Sequence, residues 1–286
     1  MEIFTEKMGN KLEIVKLNAF CELNSNQLPN KTELFEDVFN KMDADIHATK
    51  SQLPRYHNFS SITQGALNNC HGDWYEWFLA IAAINIHVTQ KTRYLALLLP
   101  NVSQFDVTKL YGSEILTLIN DLKCKVRDTV DVEFISSNPD FVIVDTTQCA
   151  VNFNTPISQL NPPLIKQIQE LYRGFIGKCA LDDIVGYLSV KASLRPDRRL
   201  QIAHEGSLMK ALYAHIQTRQ WILEPNGLKY YAASKSVSDA DRAALKTIAT
   251  HSLITVNTAP QSAVDEVYEI DSLKSAEAAL LSMLNS

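Results

Sequence analysis

An α/β fold, with a central mixed β-sheet flanked by helices, follows from three features of the sequence. Short apolar runs of strand length alternate with longer stretches of helical periodicity. Two runs, Phe141 to Asp145 and Ile184 to Val190, are apolar almost throughout, as buried strands are. At 286 residues and 46% apolar, the chain can bury one large domain, or a core plus a small extension.

In chain order, the first seventy residues are mixed, with a polar stretch from Asn24 to Thr32 and a helix expected from Thr32 to about Lys50. Residues 1–70 read as an amino-terminal extension or small subdomain and 71–286 as the main domain. From Gly72 a helix is expected, because Trp74, Trp77, Phe78, Ile81, Ile84 and Val88 fall on one stripe. A strand near Tyr94 to Leu99, a helix near Ser113 to Arg127 and strands near Val132 to Ser136 and Phe141 to Asp145 follow. Asn161-Pro162-Pro163 reads as a loop. After the strand Ile184 to Val190, Pro196 suits a first helical position, where no amide hydrogen is needed, so a helix is expected from there to Gln217. Strands near Leu228 to Ala233 and Leu253 to Asn257, and helices over Asp239 to Thr250 and Ser272 to Leu284, complete the alternation.

Composition excludes several classes. Five scattered cysteines, an odd number with no C-x-x-C spacing, indicate neither a disulfide framework nor a zinc site. The start carries charges, and no window approaches the roughly eighteen apolar residues of a membrane span, so the default compartment is cytoplasmic. Gly72, Gly174, Gly177 and Gly206 compose no phosphate loop, and no histidine pair has the H-E-x-x-H spacing. A net charge of −5 argues against a protein that coats DNA regardless of sequence, since phosphate neutralisation dominates such binding. Local charge differs. Between Lys191 and Arg219, Lys191, Arg195, Arg198, Arg199, Lys210 and Arg219 outnumber Asp197 and Glu205, giving net +4. From Pro260 to Ser286, Asp265, Glu266, Glu269, Asp271 and Glu277 face only Lys274, giving net −4. A basic cleft on an acidic body is expected.

The run from Ser189 to Arg199, continuing to His204-Glu205-Gly206, reads as a site that cuts and reads DNA. Lys191 ends an apolar strand, where backbone pairing would hold its ammonium still beside a phosphate. Arg195 and Arg198 carry the planar fork that matches guanine O6 and N7, and Asp197 between them can accept from a cytosine amino group. The bland alternative is a charged, solvated helix start. Against it stands Asn138-Pro139-Asp140 at the lip of the strand Phe141 to Asp145, which resembles the first half of the PD-(D/E)XK nuclease pattern. The second half reads Ser189-Val190-Lys191, so its usual carboxylate is missing. Phosphodiester hydrolysis with Mg²⁺ needs hard oxygen ligands, typically more than one. Glu205, fourteen positions after Lys191 in the following helix, is one candidate replacement. Glu76, off the apolar stripe of its helix, is another; its alternative is a first-turn glutamate favoured by the helix dipole. Gly206 inside a helix costs roughly 1 kcal/mol against alanine, so it marks a close approach, either of the DNA backbone or of a packed neighbour.

The whole set resembles, in the same order, the type IIF restriction endonucleases that cut purine-CCGG-pyrimidine. The resemblance rests on Gly72 to Trp77, Leu99-Pro100-Asn101 with Phe105-Asp106, Ser137 to Asp140, Leu188 to Arg199, Ala203 to Gly206, Tyr230 to Ala233 and Ala249 to His251. These stretches lie between residue 72 and about 266, and the amino-terminal seventy residues match poorly. The resemblance implies a restriction-endonuclease-like core in which 71–286 is the catalytic and DNA-recognition domain. It implies that Asp140 and Glu205 bind Mg²⁺, that Lys191 positions or activates the attacking water, and that Glu76 supports the metal site. A serine in the strand, like Ser189, with the glutamate on the next helix, like Glu205, is itself a trait of the family. Arg195, Asp197 and Arg198 correspond to its reader of the inner CCGG pairs. Trp221 corresponds to a tryptophan at dimer-dimer contacts, with a core aromatic as the alternative. Double-stranded DNA, a homodimer or homotetramer, and a cognate DNA methyltransferase are the implied partners. Two other readings stay open: a structure-directed or repair nuclease, which needs no paired reader, and a noncatalytic DNA-binding regulator, which has no cleavage to lose.

Overall fold

The computed structural model describes residues 2–101, 103–134, 139–149, 151–254 and 259–285. An amino-terminal hairpin, β1 (Phe4–Lys7) and β2 (Lys11–Ile14), precedes α1 (Lys16–Leu23), α2 (Phe35–Gln52) and the long α3 (Gln64–Gln90). Then come β3 (Tyr94–Leu98), α4 (Ser113–Val130), β4 (Phe141–Asp145), α5 (Pro162–Glu170), β5 (Ile184–Lys191) and α6 (Pro196–Arg219). The chain closes with β6 (Lys229–Ser234), α7 (Asp239–Leu245), α8 (His251–Ile254), β7 (Glu266–Glu269) and α9 (Leu273–Leu284).

The five later strands form one sheet in the order β3-β4-β5-β6-β7. Its β3-β4 and β4-β5 pairs are antiparallel, and its β5-β6 and β6-β7 pairs are parallel, so the sheet is mixed as expected. Every residue of β4 is buried, and β5 is nearly so, which is why both read as unbroken apolar runs. Register then positions the site. Phe141 pairs with Leu188, so Asp140, one residue before β4, comes level with Ser189 at the far end of β5.

The helix α3 starts eight residues before Gly72, capped by the Thr63 hydroxyl, which accepts from the Ala66 amide. Its expected stripe does face the core, with Trp74, Phe78 and Ile81 fully buried. The amino-terminal helices pack on it through aromatic rings: Phe35 stacks on Phe78 at 5.2 Å, and Phe20 meets Phe78 at 4.8 Å. In α6, Gly206 answers to packing. A Cβ there would lie 2.2 Å from the Ala263 carbonyl oxygen and 3.1 Å from the Tyr230 ring, so the glycine lets α6 press onto the β6-β7 side rather than onto DNA.

Several expected boundaries differ. α2 begins at Phe35 because Leu34 is extended and bridged to Ser272. Asn161-Pro162-Pro163 opens α5, with Asn161 Oδ1 accepting from the Leu164 amide at 2.9 Å. Val132 to Phe134 is irregular after Asp131 ends α4 in the left-handed region (φ 53°), and the rest of that expected strand lies outside the described residues. Leu253 and Ile254 belong to α8 rather than to a strand, and the remainder of that segment also lies outside them. α7 stops at Leu245, after which Ile248 bridges Ser262. No helix among the described residues is long and apolar enough to cross a membrane.

Candidate active site

Three donors converge on one oxygen of Asp140. Its Oδ2 accepts from the Val190 amide at 2.5 Å, from Lys191 Nζ at 2.9 Å and from Ser189 Oγ at 3.3 Å, while Oδ1 lies 3.3 Å from the same ammonium. The geometry is a consequence of strand pairing. Main-chain bonds hold Asp140 beside β3, where the Leu99 amide donates to its carbonyl at 2.9 Å, and β5 delivers Ser189, Val190 and Lys191 from the other side. Burial disfavours the Lys191 charge, but the charge and hydrogen bond of Asp140, joined by Glu205 and Glu76, outweigh it and raise its pKa above the ordinary lysine value. Lys191 is therefore held as an ammonium.

Glu205 faces the same centre from α6. Its Oε2 accepts from the Tyr230 hydroxyl at 3.0 Å and its Oε1 from Gln201 Nε2 at 2.9 Å. The Ser189 hydroxyl bonds Asp140 and the Tyr230 hydroxyl bonds Glu205, so each carboxylate has a hydroxyl partner of its own. Glu76 lies twelve residues inside α3, which removes the first-turn dipole reading. Burial holds its carboxyl well above the usual carboxylate range, and the negative charge of Asp140 pushes it further. Among the described residues, no group of three His, Cys, Asp or Glu side chains forms a ready-made metal cage.

A cleft of about 720 Å³ opens over this centre, lined by Asp140, Lys191, Glu76, Arg195, Arg198 and Lys235, with Asn68, Asn69 and His71 on the facing wall. Glu205 is not in its lining; its connection to the centre is the pull of its charge on Lys191. Arg195 is the extended residue before α6 and Arg198 lies in its first turn, where both flank Asp197 at 3.7 and 3.9 Å. Arg195 and Asp197 are about two-thirds exposed, so the fork is presented to the cleft mouth rather than spent in the core. The basic run is smaller in space than in sequence. Arg199 pairs with Asp241, Lys210 with Asp265 and Arg219 with Asp121, leaving Arg195 and Arg198 beside Lys191 as the cations of the cleft from that run. Trp221 stands 85% exposed in the left-handed region (φ 56°), beside an equally exposed Leu223, and so is no core aromatic.

Sequence reasoning missed Tyr230 as a member of the site and the polar wall supplied by α2 and α3. A tyrosine in an apolar strand reads as core, and Asn68 and Asn69 precede the segment that drew attention. Only the strength of their spatial neighbours marks them.

A carboxylate ahead of β4, a lysine ending the adjacent antiparallel β5, and two further strands in parallel define the class of DNA-cutting enzymes built on the PD-(D/E)XK core. The particular family follows from comparison. A family described as Cfr10I/Bse634I restriction endonuclease matches residues 1–286. The chain is 40% identical over 283 residues to the type II restriction enzyme Cfr10I of Citrobacter freundii, covering 97% of each. It superposes on the Bse634I restriction endonuclease with a TM-score of 0.87 at 33% identity, covering 97% of this chain and 94% of that one. The crystal structure of type IIF restriction endonuclease Bse634I with cognate DNA matches with a TM-score of 0.88 at 32% identity, covering 99% and 97%. The chain belongs to the Cfr10I/Bse634I restriction endonuclease family and is a type II restriction enzyme that cleaves DNA. Similarity reaches through the amino-terminal seventy residues, which sequence motifs alone matched poorly.

Proposed function

We propose that the protein cleaves double-stranded DNA at a CCGG-centred palindrome, purine/CCGG-pyrimidine, in a Mg²⁺-dependent reaction. The cut falls after the first purine and leaves 5′-phosphate and 3′-hydroxyl ends with CCGG as the 5′ overhang. The observation that carries this reading is the convergence of Lys191 and Ser189 on Asp140, with the Glu205 carboxylate near enough for its charge to act on the same Lys191 ammonium.

The residues present fit a hard dication. They offer two carboxylates and a hydroxyl, all oxygen donors, and the crowding of Asp140 against Glu76 is the repulsion that a cation relieves. Magnesium is commonly held by one or two carboxylates and fills its shell with water and phosphate, so the lack of a third close ligand is no obstacle. Asp140 and Glu205 would hold the ion, with Glu76 as support, and when bound it would neutralise charge developing on the phosphate. The chain does the rest. Asp140 is fixed by the Val190 amide and the Ser189 hydroxyl, and the Lys191 ammonium positions the attacking water beside the scissile phosphate.

Arg195 and Arg198 read the guanines of the inner pairs, and Asp197 both spaces the two forks and accepts from a cytosine amino group. A palindrome is best met by two identical subunits, so we assign a homodimer or a homotetramer, with Trp221 at an interface between copies. In this reading 71–286 carries catalysis and base recognition, 1–70 is an accessory unit, and the enzyme works in the cytoplasm with a cognate DNA methyltransferase protecting the host sites.

Incubation of unmethylated plasmid with the protein and Mg²⁺ tests the proposal. Discrete fragments are expected, where a structure-directed nuclease of the same fold would give none. Lys191→Ala is expected to retain duplex binding and to lose cleavage by a factor on the order of 10²–10³, the usual cost of removing one preorganised electrostatic group. Unchanged cleavage by that variant would remove Lys191 from the mechanism.

A further inference from the structure

Moving a metal carboxylate from a strand to a helix creates a positioning problem. A strand residue at the Ser189 position would be oriented by backbone pairing on both sides, since β5 lies between β4 and β6. Glu205 instead reaches in from α6 on three rotatable bonds, and an unrestrained side chain must be ordered each time a cation binds. Something has to hold it.

We propose that Tyr230 is a positioning residue that orients the Glu205 carboxylate for the metal ion; this rests on the reading of Glu205 as a metal ligand. The Tyr230 side chain is completely buried, and its hydroxyl donates to Glu205 Oε2 at 3.0 Å. Its other end is equally fixed. The Tyr230 amide donates to Asp265 Oδ2 at 2.7 Å, and the same carboxylate oxygen pairs with Lys210 Nζ at 2.7 Å. Lys210 is almost wholly buried and also donates to the Ser262 carbonyl at 2.7 Å. Because Lys210 follows Glu205 on α6, a closed circuit results: helix to Asp265, Asp265 to the Tyr230 main chain, and the Tyr230 phenol back to the helix at Glu205. Gly206, beside Glu205, allows the helix backbone to close onto the Tyr230 ring.

The circuit leaves the carboxylate competent. Gln201 and Tyr230 each occupy one lone pair, on different oxygens, so both Glu205 oxygens retain acceptor capacity toward a cation. Partners of this kind typically contribute 10–100-fold to metal affinity.

The test compares full-length wild type, Tyr230→Phe, Glu205→Gln and the double variant. Two measurements are made: the Mg²⁺ dependence of plasmid cleavage, and Ca²⁺ binding by calorimetry to the complex with a duplex carrying the mapped wild-type cut site. Thermal melting and duplex affinity verify that each variant is folded and bound to DNA. Tyr230→Phe is expected to raise the Mg²⁺ concentration for half-maximal cleavage roughly tenfold, to weaken Ca²⁺ similarly, and to change the maximal rate much less. The double variant is expected to bind Ca²⁺ no more weakly than Glu205→Gln alone, because the phenol acts only through that carboxylate. Unchanged metal dependence in Tyr230→Phe, with Glu205→Gln weakened, overturns the role of Tyr230 and leaves Glu205 standing. Additive losses in the double variant also overturn it, assigning the ring a merely structural part. Unaltered Ca²⁺ binding and cleavage in Glu205→Gln would remove both.

Discussion

At the scale of single residues, the site works through fixed acceptors and a fixed cation. Asp140 Oδ2 takes three donors, so the carboxylate has no freedom to turn away from the cleft, and Lys191 is held charged by the acid groups around it. The proposed reader is built differently. Among the described residues Arg195 and Arg198 form ion pairs with Asp197 alone, at 3.7 and 3.9 Å, and remain exposed enough to exchange that contact for guanine edges. Arg198→Ala is therefore expected to weaken discrimination of the inner G·C pairs by about 1–3 kcal/mol while leaving the fold intact. Competition binding with CCGG duplexes carrying single substitutions checks it, and equal losses for matched and mismatched duplexes would recast Arg198 as a phosphate contact. Asp140, Lys191 and the Arg-Asp-Arg group were legible in the sequence because each breaks a local pattern: an acid before an apolar strand, an ammonium at the end of another, and charges packed around a proline. Tyr230 obeys its local pattern, so it entered only as part of the stretch Tyr230 to Ala233 that carries the family resemblance, with no role attached. Its role exists only once α6 lies across β6.

At the scale of elements, α6 does two jobs at once. Its start presents the proposed reader, Arg195 and Arg198, to the cleft, and its middle presents Glu205, so tilting the helix would disturb both. Gly206 sets that tilt. Gly206→Ala adds a methyl 2.2 Å from the Ala263 carbonyl oxygen, which the backbone must move to admit. The expected cost is about 1–3 kcal/mol, with a loss of cleavage larger than the loss of stability alone would cause, measured by urea unfolding alongside Mg²⁺-dependent cleavage. A variant as stable and as active as wild type would show that the helix has slack there. The same scale explains which elements could be read in advance. β4 and β5 are buried on both faces and announce themselves as apolar runs, whereas β7 (Glu-Val-Tyr-Glu) and the hairpin β1-β2 are short, charged and held by pairing rather than by periodicity. Asn161-Pro162-Pro163 carries the residues of a turn and of a helix start equally well, and the capping bond to Leu164 decides between them.

At the scale of the whole molecule, the basic run is dispersed rather than gathered. Three of the six basic residues between Lys191 and Arg219 are paired with Asp241, Asp265 and Asp121. The cleft is lined by Lys191, Arg195, Arg198 and Lys235 and also by Glu36, Asp43, Asp73, Glu76 and Asp140, so cations and acids are interleaved there and the basic cleft expected from the sequence is not formed. Away from it, Trp221 and Leu223 form an exposed apolar pair after α6, a feature that marks interaction sites. Trp221→Ala is expected to lower the assembly below that of the wild type in sedimentation velocity; an unchanged assembly would move the proposed interface elsewhere.

The central claim is that a carboxylate-lysine centre and an Arg-Asp-Arg reader act on the same stretch of duplex. Sequencing the termini of plasmid fragments produced by the wild-type protein with Mg²⁺ tests it most directly. The account predicts that every end begins with 5′-CCGG and is preceded across the cut by a purine. Ends scattered over unrelated sequences, or clustered at a site lacking the CCGG centre, would contradict it.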